Sequence, residues 1–305
     1  MRVAAIDCGT NSIRLLVADV DGGHLSEVYR QMIIVRLGEG VDRTGAFSDA
    51  ALARTFSACD TYAEVIDDLG ASRVRFVATS ASRDVSNRAA FVDGVRERLG
   101  VEPEIISGTE EATLSFRGAV LGLPGGVIAS PCLVVDIGGG STEFVLGDSE
   151  PSSAISVDIG CVRMTERHLH SDPPTEGQIT ATERDIAAAL DRAGEVIDWS
   201  AAASLVGVAG TVTTMVALAH HLPAYDPAAI HGRSVSAQDV DDLTEQLLRM
   251  PREERAALPV MHPGRVDVIA GGAMVLRAIL RRSGQGQIVA SETDILDGVA
   301  RALAV

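Results

Sequence analysis

Two short stretches of this chain place acids, hydroxyls and glycines at spacings suited to phosphate chemistry. Leu133 to Asp148 reads LVVDIGGGSTEFVLGD. An apolar run leads into Asp136, glycines follow, and polar and apolar residues then alternate, which predicts strand, tight turn, strand. Gly138, Gly139 and Gly140 predict a turn of positive φ that approaches a ligand closely, and amides pointing one way form an anion nest. Ser141 and Glu143 are two apart and share a strand face. With Asp136 they predict a phosphate held together with a hard cation, Mg²⁺. A glycine-rich hairpin with surface acids fits the same residues.

The pattern occurs twice. Val3 to Val20, VAAIDCGTNSIRLLVADV, aligns with the second stretch at an offset of 129, Asp7 against Asp136. Gly9, Thr10, Asn11 and Ser12 form its turn, and Ser12 falls on Ser141. Arg14 stands where the second copy has Glu143, so one hairpin offers phosphates a cation and the other offers a metal or a water its carboxylate. Asp7 is a possible third metal contributor. Two copies predict two related domains, each presenting a phosphate hairpin, with a cleft that grips a phosphate chain from both sides.

Three other segments carry candidate chemistry. Glu110 and Glu111 open a predicted helix in SGTEEA, where first-turn acids also complement the helix dipole. Arg83 lies in the loop of ATSASRD, a common setting for a solvated charge. GVAGTVTT passes from strand into helix at Gly210 and Thr211, a junction suited to an anion or nucleoside, although close strand–helix packing explains the glycines equally well. The histidine pairs His168/His170 and His220/His221 lack metal-ligand spacing and read as structural. No GxSxG elbow is present, and the Gly138 run fails GxGxxG.

The elements that must position these residues follow from the pattern. The first half predicts β-strands at 3–8, 12–20 and 25–35 and helices at 48–69, 89–99 and 109–120. Between them come strands at 74–78 and 104–106, and Ser48 and Thr109 are the helix caps. LPGGVIAS at 123–130 marks a boundary, after which the plan repeats. Strands are predicted at 132–137, 141–146, 153–158, 205–209 and 287–290. Helices are predicted near 160–169, 177–197, from 211, 236–248, 265–281 and 293–303. The expectation is an α/β fold of two domains, 1–124 and 125–292, each a mixed sheet with crossover helices.

Composition narrows the function. The chain has 305 residues, 46% hydrophobic, enough for about two domains with full cores. Net charge is −16, and all 26 basic residues are arginine. A P-loop requires lysine and is excluded, as is lysine Schiff-base chemistry. The acidic balance argues against a nucleic-acid partner, and it obliges any polyphosphate to be attracted locally by arginines, nests and metal. No apolar run reaches the roughly 18 residues of a membrane span. The opening strand pattern is unlike a secretory signal, and four cysteines without CxxC spacing predict free thiols in a cytoplasmic protein.

The ordered motifs DCGTNSIRLL, ATSASRDVSN, IISGTEEA, DIGGGSTEFVLG and GVAGTVTT together resemble the exopolyphosphatase/guanosine pentaphosphate phosphatase (Ppx/GppA) family, from Val3 to about Arg301. That family lies in the superfamily of actin, Hsp70 chaperones and sugar kinases. The resemblance implies duplicated ribonuclease H-like, actin-like domains, with the helix at 293–305 packing back on the first. It implies Mg²⁺-dependent release of orthophosphate from polyphosphate ends. Glu111 would be the catalytic base, with Glu143 assisting the nucleophile. Asp136, Glu143 and Asp7 would serve the metal, and Arg83 would lie near the phosphates. GVAGTVTT matches the superfamily's adenosine motif. A homodimer is a further implication, as is the short form without the C-terminal helical extension. Leu296 stands where an arginine is common. The alternatives are a guanosine pentaphosphate 5′-phosphatase of the stringent response, a noncatalytic polyphosphate or alarmone binder, and a nucleotide-binding kinase or ATPase. SGTEEA and ATSASRD weigh against the last.

Overall fold

Period-two apolar patterns become the sheets of the protein, seen in a computed structural model that describes residues 1–22, 24–83 and 85–303. Asp84 of the ATSASRDVSN motif and the last two residues of the expected 293–305 segment lie outside the described residues. The first sheet contains β1 (Arg2–Cys8), β2 (Ser12–Asp21), β3 (His24–Ile34), β4 (Arg73–Ala78) and β5 (Glu104–Ile105), in the order β3-β2-β1-β4-β5. The second contains β6 (Cys132–Ile137), β7 (Thr142–Gly147), β8 (Pro151–Val157), β9 (Ser204–Val208), β10 (Ser234–Ser236) and β11 (Gln287–Ala290), in the order β10-β11-β9-β6-β7-β8. In each, an antiparallel meander of three strands is joined by parallel strands reached through helices. The second sheet repeats the 3-2-1-4-5 order of the first and adds β10 at one edge. This is the duplicated ribonuclease H-like, actin-like architecture expected. The three-residue β10 was not foreseen, being too short to show a period.

Helices α1 (Val41–Thr44), α2 (Asp49–Leu69), α3 (Arg88–Leu99) and α4 (Gly108–Gly122) follow in the first half. Ser48 caps α2 by accepting from the Ala51 amide at 3.2 Å. The cap of α4 is Ser107 and not Thr109. Ser107 Oγ accepts the Glu110 amide at 3.1 Å, and its carbonyl accepts the Glu111 amide at 2.9 Å, so Thr109 falls inside the helix. The second half holds α5 (Cys161–His168), α6 (Glu176–Gly194), α7 (Ala209–Ala219), α8 (Pro227–Ile230), α9 (Ala237–Arg249), α10 (Arg252–Ala256), α11 (Ile269–Ser283) and α12 (Ile295–Ala302). Here α11 starts four residues later than predicted, because 265–268 are turns.

Two compact units result, Met1–Gly118 with the segment from Ile295, and Ala119–Asp294. The division falls inside α4, ahead of the 124/125 boundary read from LPGGVIAS, because the helix continues to Gly122. In the first unit the strand alternation sorts two cores. Ala4, Ile6, Cys8, Ile13, Leu15 and Val17 join residues of α2 and α3. Val3, Ala5, Leu16 and Ala18 join Leu114 of α4 and Ile295, Leu296, Val299 and Ala300 of α12. Leu296, at the departure from the family pattern, is thus a core residue with 1% exposure. In the second unit one core gathers Leu133, Val135, Ile137 and Phe144 with α6, α7, α9 and α11. No helix among the described residues is long and apolar enough to cross a membrane.

Candidate active site

Alternation places Asp7 and Arg14 on the α4 and α12 face of the first sheet, at the end of β1 where the hairpin turns. They are direct register partners across β1 and β2. Asp136 and Glu143 hold the same relation across β6 and β7, so the offset read in the sequence is a structural repeat. The two turns even share a closing bond, from Gly9 N to Ser12 O at 2.9 Å and from Gly138 N to Ser141 O at 3.0 Å. Gly138 does not adopt the positive φ expected of the turn. Space is the reason for glycine at 138: a Cβ there would lie 3.1 Å from Ser141 O. A Cβ on Gly160 would overlap the Gly139 backbone, which lets the start of α5 close on the hairpin. Val162 N donates to Gly139 O at 2.9 Å and Arg163 Nε to Gly140 O at 2.7 Å.

In the first unit, the Arg14 guanidinium binds Asp7 Oδ2 through Nε at 3.0 Å and Nη2 at 2.5 Å. Asp7 is therefore engaged with a cation of its own hairpin. Thr10 is buried beneath the 36–40 loop: Gly38 N donates to Thr10 O at 2.9 Å, and a Cβ on Gly38 would overlap the Thr10 side chain. Arg36 N and Val35 N both donate to Asn11 O, at 2.8 and 3.1 Å. The two glutamates of SGTEEA separate cleanly. Glu110 points outward to Arg75, 3.0 Å away, with its side chain 47% exposed. Glu111 is buried and forms an ion pair with Arg83. Arg83 Nε donates to Ile106 O at 3.2 Å, which aims the guanidinium from the β4 loop at α4. A first-turn dipole role thus accounts for Glu110, while Glu111 lies among buried polar groups.

In the second unit, Glu143 is 1% exposed. Its Oε1 accepts from Ser141 Oγ and Ser156 Oγ, each at 2.6 Å. Ser156 pairs in register with Glu143 from β8, a contact that the hairpin motif alone does not reveal. Two short charge-assisted hydrogen bonds fix the carboxylate's orientation.

The junction at Gly210 and Thr211 holds an arginine that sequence reading missed. A Cβ on Gly210 would overlap the Arg265 guanidinium, so this glycine makes room for a cation. Arg265 Nη1 donates to Thr214 Oγ1 at 3.2 Å, and the guanidinium lies 5.7 Å over the Tyr225 ring. Tyr225 OH in turn donates to Glu292 Oε1 at 2.7 Å and lies 2.7 Å from the Thr213 hydroxyl. Ala209 enters α7 with a left-handed φ of 65°, strain of the kind that collects at functional junctions. The available signal for Arg265 was HPGR, a Pro-Gly turn directly before an arginine.

The same turn contains a titratable group. Gly264 N donates to His262 Nδ1 at 3.1 Å, and burial, then the Arg265 charge, hold His262 below its ordinary pKa of 6.5. The unfolded chain therefore binds more protons, so this contribution to stability is present above the unfolded pKa and is lost as pH falls below it. Wild type is expected to lose more melting temperature than His262→Gln between about pH 7 and about pH 5, measured by calorimetry. Equal losses would remove His262 from the account. His168 and His220 are held by neighbouring groups: His168 Nε2 lies 2.9 Å from Asp185 Oδ2 and His220 Nε2 lies 2.9 Å from Ser234 O. All four cysteines are buried and unbridged.

Two hairpins of one register, on two sheets of one strand order, define a duplicated actin-like protein. The Ppx/GppA phosphatase family model matches residues 16–302, and the chain belongs to that family. Exopolyphosphatase 2 of Mycobacterium tuberculosis is 51% identical to it, covering 99% of this chain and 98% of that protein. A solved exopolyphosphatase-like protein is 44% identical, covers 99% of this chain and 97% of its own, and has a TM-score of 0.96. An exopolyphosphatase from Cytophaga hutchinsonii is 26% identical with coverage of 99% and 97% and a TM-score of 0.90.

Proposed function

We infer that this protein hydrolyses the terminal phosphoanhydride bonds of inorganic polyphosphate and releases orthophosphate. The observation that carries the reading is the register-matched pair of hairpins, one presenting Asp7 with Arg14 and the other Asp136 with Glu143. The full-length similarity to Exopolyphosphatase 2 supports the substrate. The cation over Gly210 supports a phosphate, and not a nucleoside, at that junction.

Asp136 and Glu143 fit Mg²⁺, because Mg²⁺ takes one or two carboxylates and completes its shell with water and substrate phosphate. Among the described residues there is no group of three or more His, Cys, Asp or Glu suited to a metal. When bound, Mg²⁺ neutralises charge on the phosphoryl group being transferred. Asp7, engaged by Arg14, is left out of that assignment.

Glu111 takes the proton of the attacking water as the water oxygen bonds to the terminal phosphorus. The bridging P–O bond breaks, the chain leaves one unit shorter, and its new terminal oxygen carries the electron pair. In-line positioning and charge neutralisation suffice for this chemistry. Arg83 orients Glu111 and faces the phosphate, Arg14 and Arg265 bind phosphate oxygens, and the amides and hydroxyls at Gly9–Ser12 and Gly138–Ser141 cradle them. The buried unbridged thiols suit a reducing cytoplasm, and we keep a homodimer as part of the reading, to be checked by light scattering.

The test is orthophosphate release from short and long polyphosphate, guanosine pentaphosphate and ATP, with and without Mg²⁺. Magnesium-dependent release from polyphosphate ends is expected. Release from guanosine pentaphosphate alone would replace the substrate, and binding without turnover would make the protein a sensor. Arg265→Ala is expected to raise KM for polyphosphate roughly 10–100-fold at similar kcat, since a hydrogen bond to a charged group contributes about 1.5–3 kcal/mol. An unchanged KM would remove Arg265 from the site.

A further inference from the structure

Arg265 sits in a stretch without strand or regular helix, the turns at 263–268 between α10 and α11. Something must hold that stretch still if its guanidinium is to meet a phosphate in one geometry. The strongest candidate is a second arginine, Arg255 of α10, which is only 5% exposed. Buried charges of this kind are retained only when paired and hydrogen-bonded.

Its bonds tie four segments together. Arg255 Nε donates to Val266 O at 3.1 Å, on the residue directly after Arg265. Nη1 donates to Met250 O at 2.7 Å, beyond the end of α9. Nη2 binds Asp172 Oδ1 at 2.8 Å, in the loop before α6. Asp172 uses its other oxygen to accept Arg252 N at 2.7 Å, and Arg252 Nε reaches Asp267 Oδ1 at 2.6 Å. The turn that carries Arg265 is thus pinned by α10 at Val266 and Asp267, the two residues that follow it, and α10 is pinned by Asp172.

We propose that Arg255, locked by Asp172, is a positioning residue that sets the Arg265 guanidinium for phosphate binding. The planar fork of Arg255 is needed for this, because its donors diverge toward a carbonyl on one side and a carboxylate on the other. A lysine at 255 keeps the charge but offers one compact ammonium and cannot span both. The inference rests on Arg265 binding phosphate, as the proposed function has it.

The test is a double-mutant cycle on the full chain, reading KM and kcat for tripolyphosphate with Mg²⁺, alongside melting temperature. Arg255→Lys is expected to raise KM roughly 10-fold or more with kcat little changed, misplacement at a distance being able to cost about 100-fold. In an Arg265→Ala background the same substitution is expected to change KM by less than about two-fold, because the group it positions is gone. Asp172→Asn, a milder change at a half-exposed side chain, is expected to move KM the same way by a smaller factor. Independent, multiplying losses in the two backgrounds would show a merely structural Arg255 and overturn the proposal. So would a loss confined to kcat, or an Arg255→Lys enzyme that melts as wild type does and keeps its KM. If Arg265→Ala alone leaves KM unchanged, the reading of Arg265 fails, and that outcome is separate from a failure of the positioning role.

Discussion

Glu111→Gln is expected to lower kcat for polyphosphate roughly 10²–10⁴-fold, the usual contribution of a positioned general base. KM should stay within a few-fold, because glutamine keeps the size and hydrogen-bonding reach of the side chain but cannot take the proton. The neighbouring Glu110→Gln is the matched control. Glu110 faces Arg75 at 3.0 Å on an exposed surface, so its loss should leave kcat near wild type. Exposed ion pairs contribute at most about 1 kcal/mol, so stability should barely change either. Steady-state phosphate release with both variants decides the matter. A Glu111→Gln enzyme with more than about a tenth of wild-type kcat would require a different base.

The second large effect is expected at Glu143. Glu143→Gln should weaken Mg²⁺ binding and lower kcat/KM by at least about 100-fold. Calorimetric titration of Mg²⁺ into the protein reads the first without relying on turnover. Removing the charge matters twice, because the buried carboxylate also satisfies two hydroxyl donors at 2.6 Å. Ser156→Ala separates the roles. It deletes one supporting bond and keeps the carboxylate, and changes in such supporting partners typically cost about 10–100-fold in metal affinity or activity. Asp136→Asn should resemble Glu143→Gln. If the Glu143→Gln and Asp136→Asn variants bind Mg²⁺ as tightly as wild type, the carboxylate pair does not hold the ion.

Much of this arrangement was legible in the sequence, for a physical reason. A hairpin with a period-two pattern fixes which residues share a face, so Asp7, Arg14, Asp136 and Glu143 could be paired from spacing alone, and the register agrees. Helix caps and glycine terminators likewise act locally, as Ser48 and the left-handed Gly70 do around α2. What depended on distant contacts was not legible. Nothing in spacing distinguishes Glu110 from Glu111, because both open the same helix, and only the packing of α4 sends one outward and one to Arg83. The turn at Gly138 was misjudged because the residue's role is set by a neighbouring carbonyl and not by its own torsion. Arg265 was hidden inside an expected helix, although HPGR marks a break before it. Ser156 belongs to a third strand and so lay outside any hairpin motif.

The interruption of the first unit bears on how the chain is made. Unit two is one continuous run, Ala119–Asp294, whereas the first takes its strands from the beginning of the chain and α12 from beyond Asp294. Val3, Ala5, Leu16 and Ala18 rest against Ile295, Val299 and Ala300, and a Cβ on Gly298 would overlap the Leu114 backbone, so the fit is close. During synthesis the half that emerges first therefore finishes last, against the usual N-terminal-first order. The face of its sheet formed by Val3, Ala5, Leu16 and Ala18, which α4 covers in part through Leu114, is completed only when the ribosome delivers α12.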